Sequence, residues 1–364
     1  MKKKDPSLLP RGERPKAADT LGLGAAASEA ALPPTADAEQ FMLTYHKVLD
    51  SAPWSPRYGL GALVFRDRLW VLGGTGTAQN GTQFNDVWSS EDGTHWRQEL
   101  ASAPWQPRWN HATFVLGAKL WVIGGLASVD PIHNLNDIWS SPDGRRWTLE
   151  VPDAPWTGRH VWAWTTHRKR AYLLGGATDG AHTYQDVLSS DDGIHWRLAT
   201  IHGPWFVERK YHAAASYRGR IFLAAGIIND DAELYGSRYL SDVWSSEDGR
   251  SWSCLASPAP WPARGAHGLV VYNGRLWLVG GELQSRYYAM DMWSTVDGRD
   301  WRRETDRFAW RGRTFGGLVA FKKRVWILGG AHRDWPKRDG PSLNDIWTFE
   351  ARSPEQRPCP GRHR

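Results

Sequence analysis

Aromatic and charged side chains cluster in three variable loops in the second half of the chain, where they offer the chemistry of a ligand site. The leading candidates are Trp335, Tyr287, Tyr288, Arg238 and Glu282. Flat apolar rings beside a planar cation and a carboxylate suit the recognition of a sugar or a polar peptide. The simpler alternative is that polar loops merely keep the surface soluble. Because loops on a rigid scaffold often carry function, we predict that these five residues contact a ligand.

Six arginines recur at regular spacing and suggest a second chemistry, a cationic ring that binds an anion. They are Arg57, Arg108, Arg159, Arg209, Arg264 and Arg313. An aspartate recurs with each of them, at Asp86, Asp137, Asp186, Asp242, Asp291 and Asp345. Equal numbers of opposite charges favour one buried pairing of arginine with a carboxylate or carbonyl in each unit. We therefore predict that these arginines are structural.

Three histidines share one position, three residues after the arginine: His111, His212 and His267. Imidazoles at one end of a channel suit a metal ion. However, the histidines belong to different repeat units, so we predict that they are hydrogen-bonded structural residues and that the chain binds no metal or other cofactor. The sequence contains no nucleophile elbow, phosphate-binding loop or His-Glu-x-x-His pattern. The catalytic residues are therefore unassigned, and the sequence favours a binding protein over an enzyme.

Glycine pairs mark the repeating elements that must position these side chains. They occur at Gly73-Gly74, Gly124-Gly125, Gly175-Gly176, Gly280-Gly281 and Gly329-Gly330, with Ala225-Gly226 as a degenerate copy. The spacing is about fifty residues, which is typical of propeller blades. Each unit also contains an aromatic residue before the pair, then Asp-x-Trp, an Asp-Gly turn and another Trp; Leu188 replaces the first Trp in the third unit. Most of the 24 Trp occupy such slots, which indicates core residues.

Each unit predicts four strands, which we name a to d. Strand a starts at the arginine, strand b ends at the glycine pair, strand c carries Asp-x-Trp, and strand d follows a tight Asp-Gly hairpin turn. Packing such sheets around an axis gives a β-propeller, with the b–c loops and the d–a entries on one face and the c–d turns on the other. The sixth unit lacks strand d. Because Tyr45 precedes Trp54 by nine residues, as Trp96 precedes Trp105, we predict that Tyr45–Leu49 supplies it and closes the ring.

The order of these motifs resembles the kelch family from about residue 41 to residue 350. Arg108-x-x-His111, Gly124-Gly125, Asn136-Asp137-x-Trp139 and Trp147 carry the resemblance in the second unit. It implies an all-β fold, a six-bladed kelch-type β-propeller closed by its N-terminal strand, in a bacterial kelch-like protein. Such propellers host many unrelated activities. The expected function is a binding scaffold that recognises a protein or carbohydrate ligand through its b–c loop face.

The same resemblance provides an enzymatic alternative, because bacterial sialic acid mutarotases and galactose oxidase are also kelch propellers. A carbohydrate-modifying enzyme of the mutarotase type needs only positioned acid and base groups, for which Glu282, Glu233, Arg238 or His332 are candidates. Galactose oxidase uses a copper site with a Tyr–Cys cross-link, and neither Cys254 nor Cys359 suits that role. The iron motif of plant specifier proteins, Glu-x-x-x-Asp-x-x-x-His, does not occur, and no BTB domain flanks the repeats.

Composition limits the remaining partners. The net charge of +6 is spread along the chain, and no nucleic-acid-binding motif accompanies it. No apolar run has the roughly 20 residues that a membrane span requires. We expect residues 1–40 to be disordered, residues 41–350 to form the propeller and residues 351–364 to form a flexible tail. The start of the chain has no clear signal peptide, which favours the cytoplasm over export, and we expect a monomer.

Overall fold

The computed structural model describes residues 41–76, 81–127, 133–178, 182–201, 207–229, 237–285, 287–314, 316–332 and 340–352. None of these residues is helical, so that part of the chain contains no helix that could cross a membrane. The strands in chain order are β1 (Met42–Leu49), β2 (Gly61–Phe65), β3 (Arg68–Thr75), β4 (Gln83–Ser90), β5 (Trp96–Leu100), β6 (Ala112–Leu116), β7 (Lys119–Ala127), β8 (His133–Ser141), β9 (Thr148–Val151), β10 (Ala163–His167), β11 (Arg170–Ala177), β12 (Thr183–Ser190), β13 (Trp196–Thr200), β14 (Ala213–Tyr217), β15 (Arg220–Asn229), β16 (Ser237–Ser246), β17 (Trp252–Ala256), β18 (Arg264–Gly265), β19 (Gly268–Tyr272), β20 (Arg275–Val279), β21 (Glu282–Leu283), β22 (Met292–Thr295), β23 (Trp301–Thr305), β24 (Gly317–Phe321), β25 (Arg324–Ala331) and β26 (Ser342–Arg352).

These strands form six antiparallel sheets arranged as the blades of a β-propeller, as the sequence predicts. The first three blades are β2–β5, β6–β9 and β10–β13, and the fourth is built on β14–β17. The fifth consists of β19, β20, β22 and β23, and the sixth of β24, β25, β26 and β1. Strand b is buried on both faces in each blade, whereas strand d is more exposed to solvent. The burial pattern follows from the ring, because each blade covers the apolar faces of its neighbours.

The c–d turns join neighbouring blades on one face of the ring. A Cβ on Gly144 would overlap the Trp70 ring of the preceding blade, so only glycine fits there, at a φ of +78°. The turn is longer than the predicted tight hairpin, since Ser90 pairs with Trp96 across five loop residues. The Asp92 carboxylate closes this loop by accepting the backbone N–H groups of Thr94 and His95, each at 2.8 Å. The loop is therefore shaped by an Asx-type side-chain cap rather than by backbone bonds alone.

The N-terminal strand closes the ring in the way that the sequence predicts. Strand β1 pairs antiparallel with β26, with Tyr45 opposite Phe349. It begins at Met42, three residues before the predicted start, because β26 continues to Arg352 and provides partners for the extra residues. The Tyr45 ring lies 5.7 Å from the Trp310 ring at 80°, the edge-to-face geometry that Trp96 adopts on Trp54 at 4.3 Å and 83°. Tyr45 thus substitutes for the strand-d tryptophan of the sixth blade.

One departure from six-fold regularity links the fourth and fifth blades. Arg264 pairs with Leu240 of β16 and with Leu283 of β21, so that β18 joins the two blades through backbone hydrogen bonds. The neighbouring residue is Gly265, and a Cβ there would overlap the Ile227 side chain. Glycine at this position lets the backbones approach closely. The b–c region of the fifth blade is therefore attached to that of the fourth.

Candidate ligand-binding site

The six strands a surround a central cavity of about 280 Å³. The residue two positions after each repeating arginine lines it and has a left-handed backbone in the five blades where that residue is described. These residues are Gly59, Asn110, Val161, Tyr211 and Ala266, with φ of 61°, 50°, 52°, 57° and 51°. The sixth equivalent, Phe315, lies outside the described residues. Because the side chain at this position differs in every blade, the cavity lining is not six-fold symmetric.

Backbone hydrogen bonds between these residues connect neighbouring blades around the cavity. Asn110 N–H donates to the Gly59 carbonyl at 2.8 Å, Tyr211 N–H to Val161 at 3.1 Å, and Ala266 N–H to Tyr211 at 2.8 Å. Left-handed backbone costs energy for residues other than glycine and asparagine, so Val161, Tyr211 and Ala266 are held there by their surroundings. These hydrogen bonds link the backbone of neighbouring blades around the cavity, and the variable side chains project from that backbone.

The repeating arginines are structural, as predicted. Nη1 and Nη2 of Arg108 lie 2.6 and 2.7 Å from the Asp137 carboxylate, and Nη1 also donates to the Gly124 carbonyl at 3.0 Å. The same two-fold pairing occurs in Arg57–Asp86, Arg159–Asp186, Arg209–Asp242, Arg264–Asp291 and Arg313–Asp345. Burial alone would raise the pKa of Asp291, but the Arg264 guanidinium outweighs it and lowers that pKa. Each arginine is neutralised by an aspartate of its own blade, so these arginines form no anion-binding ring.

The three repeating histidines are buried in the blades, but only His212 is hydrogen-bonded as predicted; both ring nitrogens of His111 and His267 are buried without a hydrogen-bond partner among the described residues. Burial, together with the positive charge of the nearby arginines, lowers the pKa of His111, His212 and His267 to about 3. His212 Nε2 lies 3.0 Å from the Leu174 carbonyl of the preceding blade. A Cβ on Gly175 or Gly226 would touch the His212 side chain, so the ring is packed against glycines from two blades. Within the described part of the chain, no group of three or more metal-ligating side chains is close enough to hold an ion.

The fourth and fifth blades meet where Tyr239, the neighbour of the predicted contact Arg238, binds the predicted contact Glu282. The Tyr239 hydroxyl donates to Glu282 Oε1 at 2.9 Å, and the Tyr239 N–H donates to Gln284 Oε1 at 2.8 Å. Arg238 precedes Tyr239 in β16 and is exposed. Tyr239 is not among the residues that the sequence predicts for this site, although its hydroxyl orients the Glu282 carboxylate. The pair fixes a hydrogen-bond acceptor at the junction of two blades.

The two adjacent tyrosines of the fifth blade have different environments. Tyr287 is 60% exposed, while Tyr288 is partly buried and lies 5.7 Å, ring to ring, from His332 of the sixth blade. His332 Nδ1 lies 2.6 Å from the Gly312 carbonyl. The fifth and sixth blades therefore meet through Tyr288 and His332. Trp335, the remaining predicted contact, lies outside the described residues.

A second group of aromatic side chains, which the prediction missed, lies on the first three blades. The residue directly after each repeating arginine is Tyr58, Trp109, His160, Lys210, Gly265 or Thr314. The Tyr58 and Trp109 rings are 5.4 Å apart at 76°, and the Trp109 and His160 rings are 6.1 Å apart. We name Tyr58, Trp109 and His160 the aromatic arc. The sequence could have indicated these residues, because the position directly after the invariant arginine holds a different residue in every unit.

The aromatic arc lies on the face that carries the b–c loops. Tyr58 forms a β-bridge with Thr75, Trp109 with Leu126 and His160 with Ala177, and in each case the partner lies at the end of strand b. Lys210 forms the corresponding bridge with Ile227 in the fourth blade, where burial lowers its pKa. The d–a entries and the b–c loops therefore share one face, as predicted.

Comparison with known proteins supports the fold and leaves the activity open. No known family model matches the chain, and no curated protein matches it in sequence. A solved structure titled "Structure of YjhT" matches with a TM-score of 0.64 and 17% sequence identity, over 82% of this chain and 96% of that chain. At this identity the likeness supports the propeller architecture alone. Membership of the kelch family remains a prediction from the repeats.

Proposed function

We propose that this chain is a binding protein that recognises a carbohydrate or protein ligand on the face of the b–c loops, and we favour a carbohydrate. The ligand would lie across the end of the central cavity, in contact with the exposed Tyr287 and Arg238 and with the oriented Glu282. The aromatic arc would contact the opposite side of the same ligand. Rings that pack on apolar faces, next to groups that fix hydroxyls, are the usual composition of a site for a polar ligand.

The observation that carries this proposal is the contrast between repeated and variable positions. The repeated arginines and aspartates neutralise one another inside the blades. The position after each arginine, which faces the b–c loops, instead differs in every blade and includes Tyr58, Trp109 and His160. A requirement common to all blades produces the same residue six times. A ligand that occupies one place on the ring requires different residues, which is the pattern on this face.

The test is a glycan and peptide binding screen on the purified chain, followed by titration of any ligand found. Tyr287→Ala and Arg238→Ala should each weaken binding about tenfold, the effect of losing a contact worth about 1.4 kcal/mol. Both residues are exposed, so the melting temperature should stay unchanged. The matched control is Arg299→Ala, because Arg299 is an exposed arginine in the c–d turn of the fifth blade, on the opposite face.

Arg299→Ala should leave affinity unchanged. If it abolishes binding while Arg238→Ala does not, the proposed face is wrong. Arg145, also in a c–d turn, is unsuitable as a control because its Nε lies 2.6 Å from Glu99, so that its replacement would disturb a buried carboxylate.

The second candidate is an enzyme that interconverts the anomers of a reducing sugar, as a mutarotase does. Glu282 accepts a hydrogen bond from Tyr239, and Tyr288 packs on His332, so groups able to move protons occur on the fourth, fifth and sixth blades. Such a reaction needs one group to take the proton of the anomeric hydroxyl and another to protonate the ring oxygen. Exchange spectroscopy on a ligand sugar distinguishes the two candidates. Faster anomer exchange that Glu282→Gln removes would favour the enzyme.

A further inference from the structure

A buried carboxylate joins the outer strand of the first blade to the c–d turn of the second. Ser89 Oγ donates to Glu99 Oε1 at 2.6 Å, and Arg97 Nη2 lies 2.7 Å from the same oxygen. Arg145, in the following c–d turn, reaches Glu99 Oε2 at 2.6 Å. Burial alone would raise the pKa of Glu99, but the hydrogen bonds from Ser89 and the two arginines lower it. One hydroxyl and two guanidiniums thus bind a carboxylate whose side chain is only 1% exposed.

The third blade repeats the donors of this cluster but not its carboxylate. Ser189 pairs in register with Arg197, as Ser89 does with Arg97. Arg250 directly follows Asp-Gly in the next c–d turn, as Arg145 does. The position of Glu99, three residues after the strand-d tryptophan, is occupied in the first five blades by Glu99, Glu150, Ala199, Leu255 and Glu304. The third blade therefore has the hydroxyl and both guanidiniums around an alanine.

A cleft of about 200 Å³ lies at this place, lined by Ser189, Arg197, Arg250, Arg170 and His195 among others. Ser189 is only 7% exposed, and among the described residues nothing accepts or donates a hydrogen bond at its hydroxyl. No carboxylate in the described part of the chain forms an ion pair with Arg197 or Arg250. The Ser189 hydroxyl lines the cleft together with these two guanidiniums, and a hydroxyl beside two guanidiniums is a donor set that favours an anion. The acidic residue nearest to Arg250 along the chain is Asp248 of the same turn; burial alone would raise the pKa of Asp248, but hydrogen bonds within the turn and the Arg250 charge lower it.

Acidic groups also line the cleft, but each already has a partner. Asp191 pairs with Arg170 at 2.6 Å, and Asp192 Oδ2 lies 2.7 Å from His195 Nδ1. Among the residues that line the cleft, three arginines and two aspartates leave one positive charge. Thr200 Oγ1 donates to the Gly249 and Arg250 carbonyls at 3.1 and 3.0 Å, which fixes the turn that carries Arg250.

We propose that this cleft, between the outer strand of the third blade and the c–d turn of the fourth, binds an oxyanion, either a carboxylate or a phosphate group. The anion would take the place that the Glu99 carboxylate has in the first blade, with Ser189, Arg197 and Arg250 as its ligands. The cleft is lined by c–d turns and therefore lies on the other face from the ligand site proposed above. It stands independently of that site.

The experiment measures binding of inorganic phosphate and of acetate, by calorimetry and by thermal unfolding, with chloride at equal ionic strength as the reference. Wild-type protein should bind at least one of the two anions and be stabilised by it. Ala199→Glu supplies the carboxylate from the chain itself, so this variant should melt at a higher temperature than wild type and lose its response to both anions. Arg197→Ala should weaken anion binding about tenfold or more, the loss of one charge-assisted contact.

The matched control is Arg97→Ala, the equivalent change in the first blade. It should lower stability, because it removes a partner of Glu99, and leave anion binding unchanged. The proposal is overturned if wild type responds to phosphate and acetate no more than to chloride. It is also overturned if Ala199→Glu folds and keeps the response, since the anion would then occupy another place.

Discussion

Replacing Tyr45 by alanine tests whether the N-terminal strand holds the ring closed. Tyr45 is partly buried, packs edge-to-face on Trp310 and lies in register opposite Phe349. Truncating a fully buried large aromatic residue to alanine costs about 3–5 kcal/mol. Because Tyr45 is partly rather than fully buried, we expect a smaller cost, about 2 kcal/mol, for Tyr45→Ala. The matched control is His46→Ala, since His46 is the next residue of the same strand and is exposed.

The expected shift in melting temperature follows from the size of the ring. An unfolding entropy of about 2.1 cal/mol/K per residue, summed over residues 41–352, gives roughly 0.65 kcal/mol per degree. Tyr45→Ala should therefore lower the melting temperature by about 3 °C, while His46→Ala leaves it unchanged. Scanning calorimetry resolves this difference, and urea unfolding followed by tryptophan fluorescence measures the free energy independently.

Two truncations extend the same test. A chain that begins at residue 41 keeps Phe41, which packs on Trp277, and should melt like the full-length protein. A chain that begins at residue 51 loses all of β1 and exposes the edge of β26, so it should not unfold as one cooperative monomer. Equal melting of the two truncations, or of Tyr45→Ala and His46→Ala, would show that the ring does not depend on this strand.

Two further predictions concern the repeated polar residues. Arg159→Ala should lower the free energy of unfolding by about 3 kcal/mol, because it strands the Asp186 carboxylate that Arg159 now binds at 2.6 and 3.2 Å; an unchanged urea midpoint would contradict this. Burial keeps the pKa of His212 in the folded state at about 3, below its ordinary value of 6.5. Above pH 6.5 the imidazole is neutral in both states, so the free energy of unfolding does not depend on it. As the pH falls from 6.5 toward 3, only the unfolded state binds the proton, and the free energy of unfolding decreases. The slope is about 1.4 kcal/mol per pH unit for each such histidine. Unfolding titrations between pH 6.5 and 4 should therefore show a shallower slope for His212→Gln than for the wild-type protein.

Sequence repetition was enough to predict the propeller, because each blade requires the same buried contacts and makes them with the same residues. The arginine and the aspartate recur together since a buried guanidinium needs a carboxylate. The second glycine of each pair recurs since a Cβ there would crowd the strand-a backbone or side chains of its own blade, whereas the first position tolerates Ala225. The nine-residue spacing from Tyr45 to Trp54 likewise predicted the closing strand. Its start at Met42 was missed because that depends on how far β26 extends at the other end of the chain.

The candidate sites were only partly predictable. The sequence indicated which loops vary, and therefore Tyr287, Tyr288, Arg238 and Glu282. It did not indicate that the Tyr239 hydroxyl orients Glu282, because that bond joins residues 43 positions apart on two blades.

The sequence by itself determined the number of blades, the roles of the repeated residues and the face on which variable loops lie, because these follow from short-range patterns that recur along the chain. Only the tertiary structure decided which variable residues meet. The aromatic arc forms because the ring brings Tyr58, Trp109 and His160 together from successive blades. Ala199 can be compared with Glu99 only in the folded chain, where strand register pairs Arg197 with Ser189 and blade packing brings Arg250 to the same cleft. Distances between blades are set by packing around the axis, which no local pattern encodes.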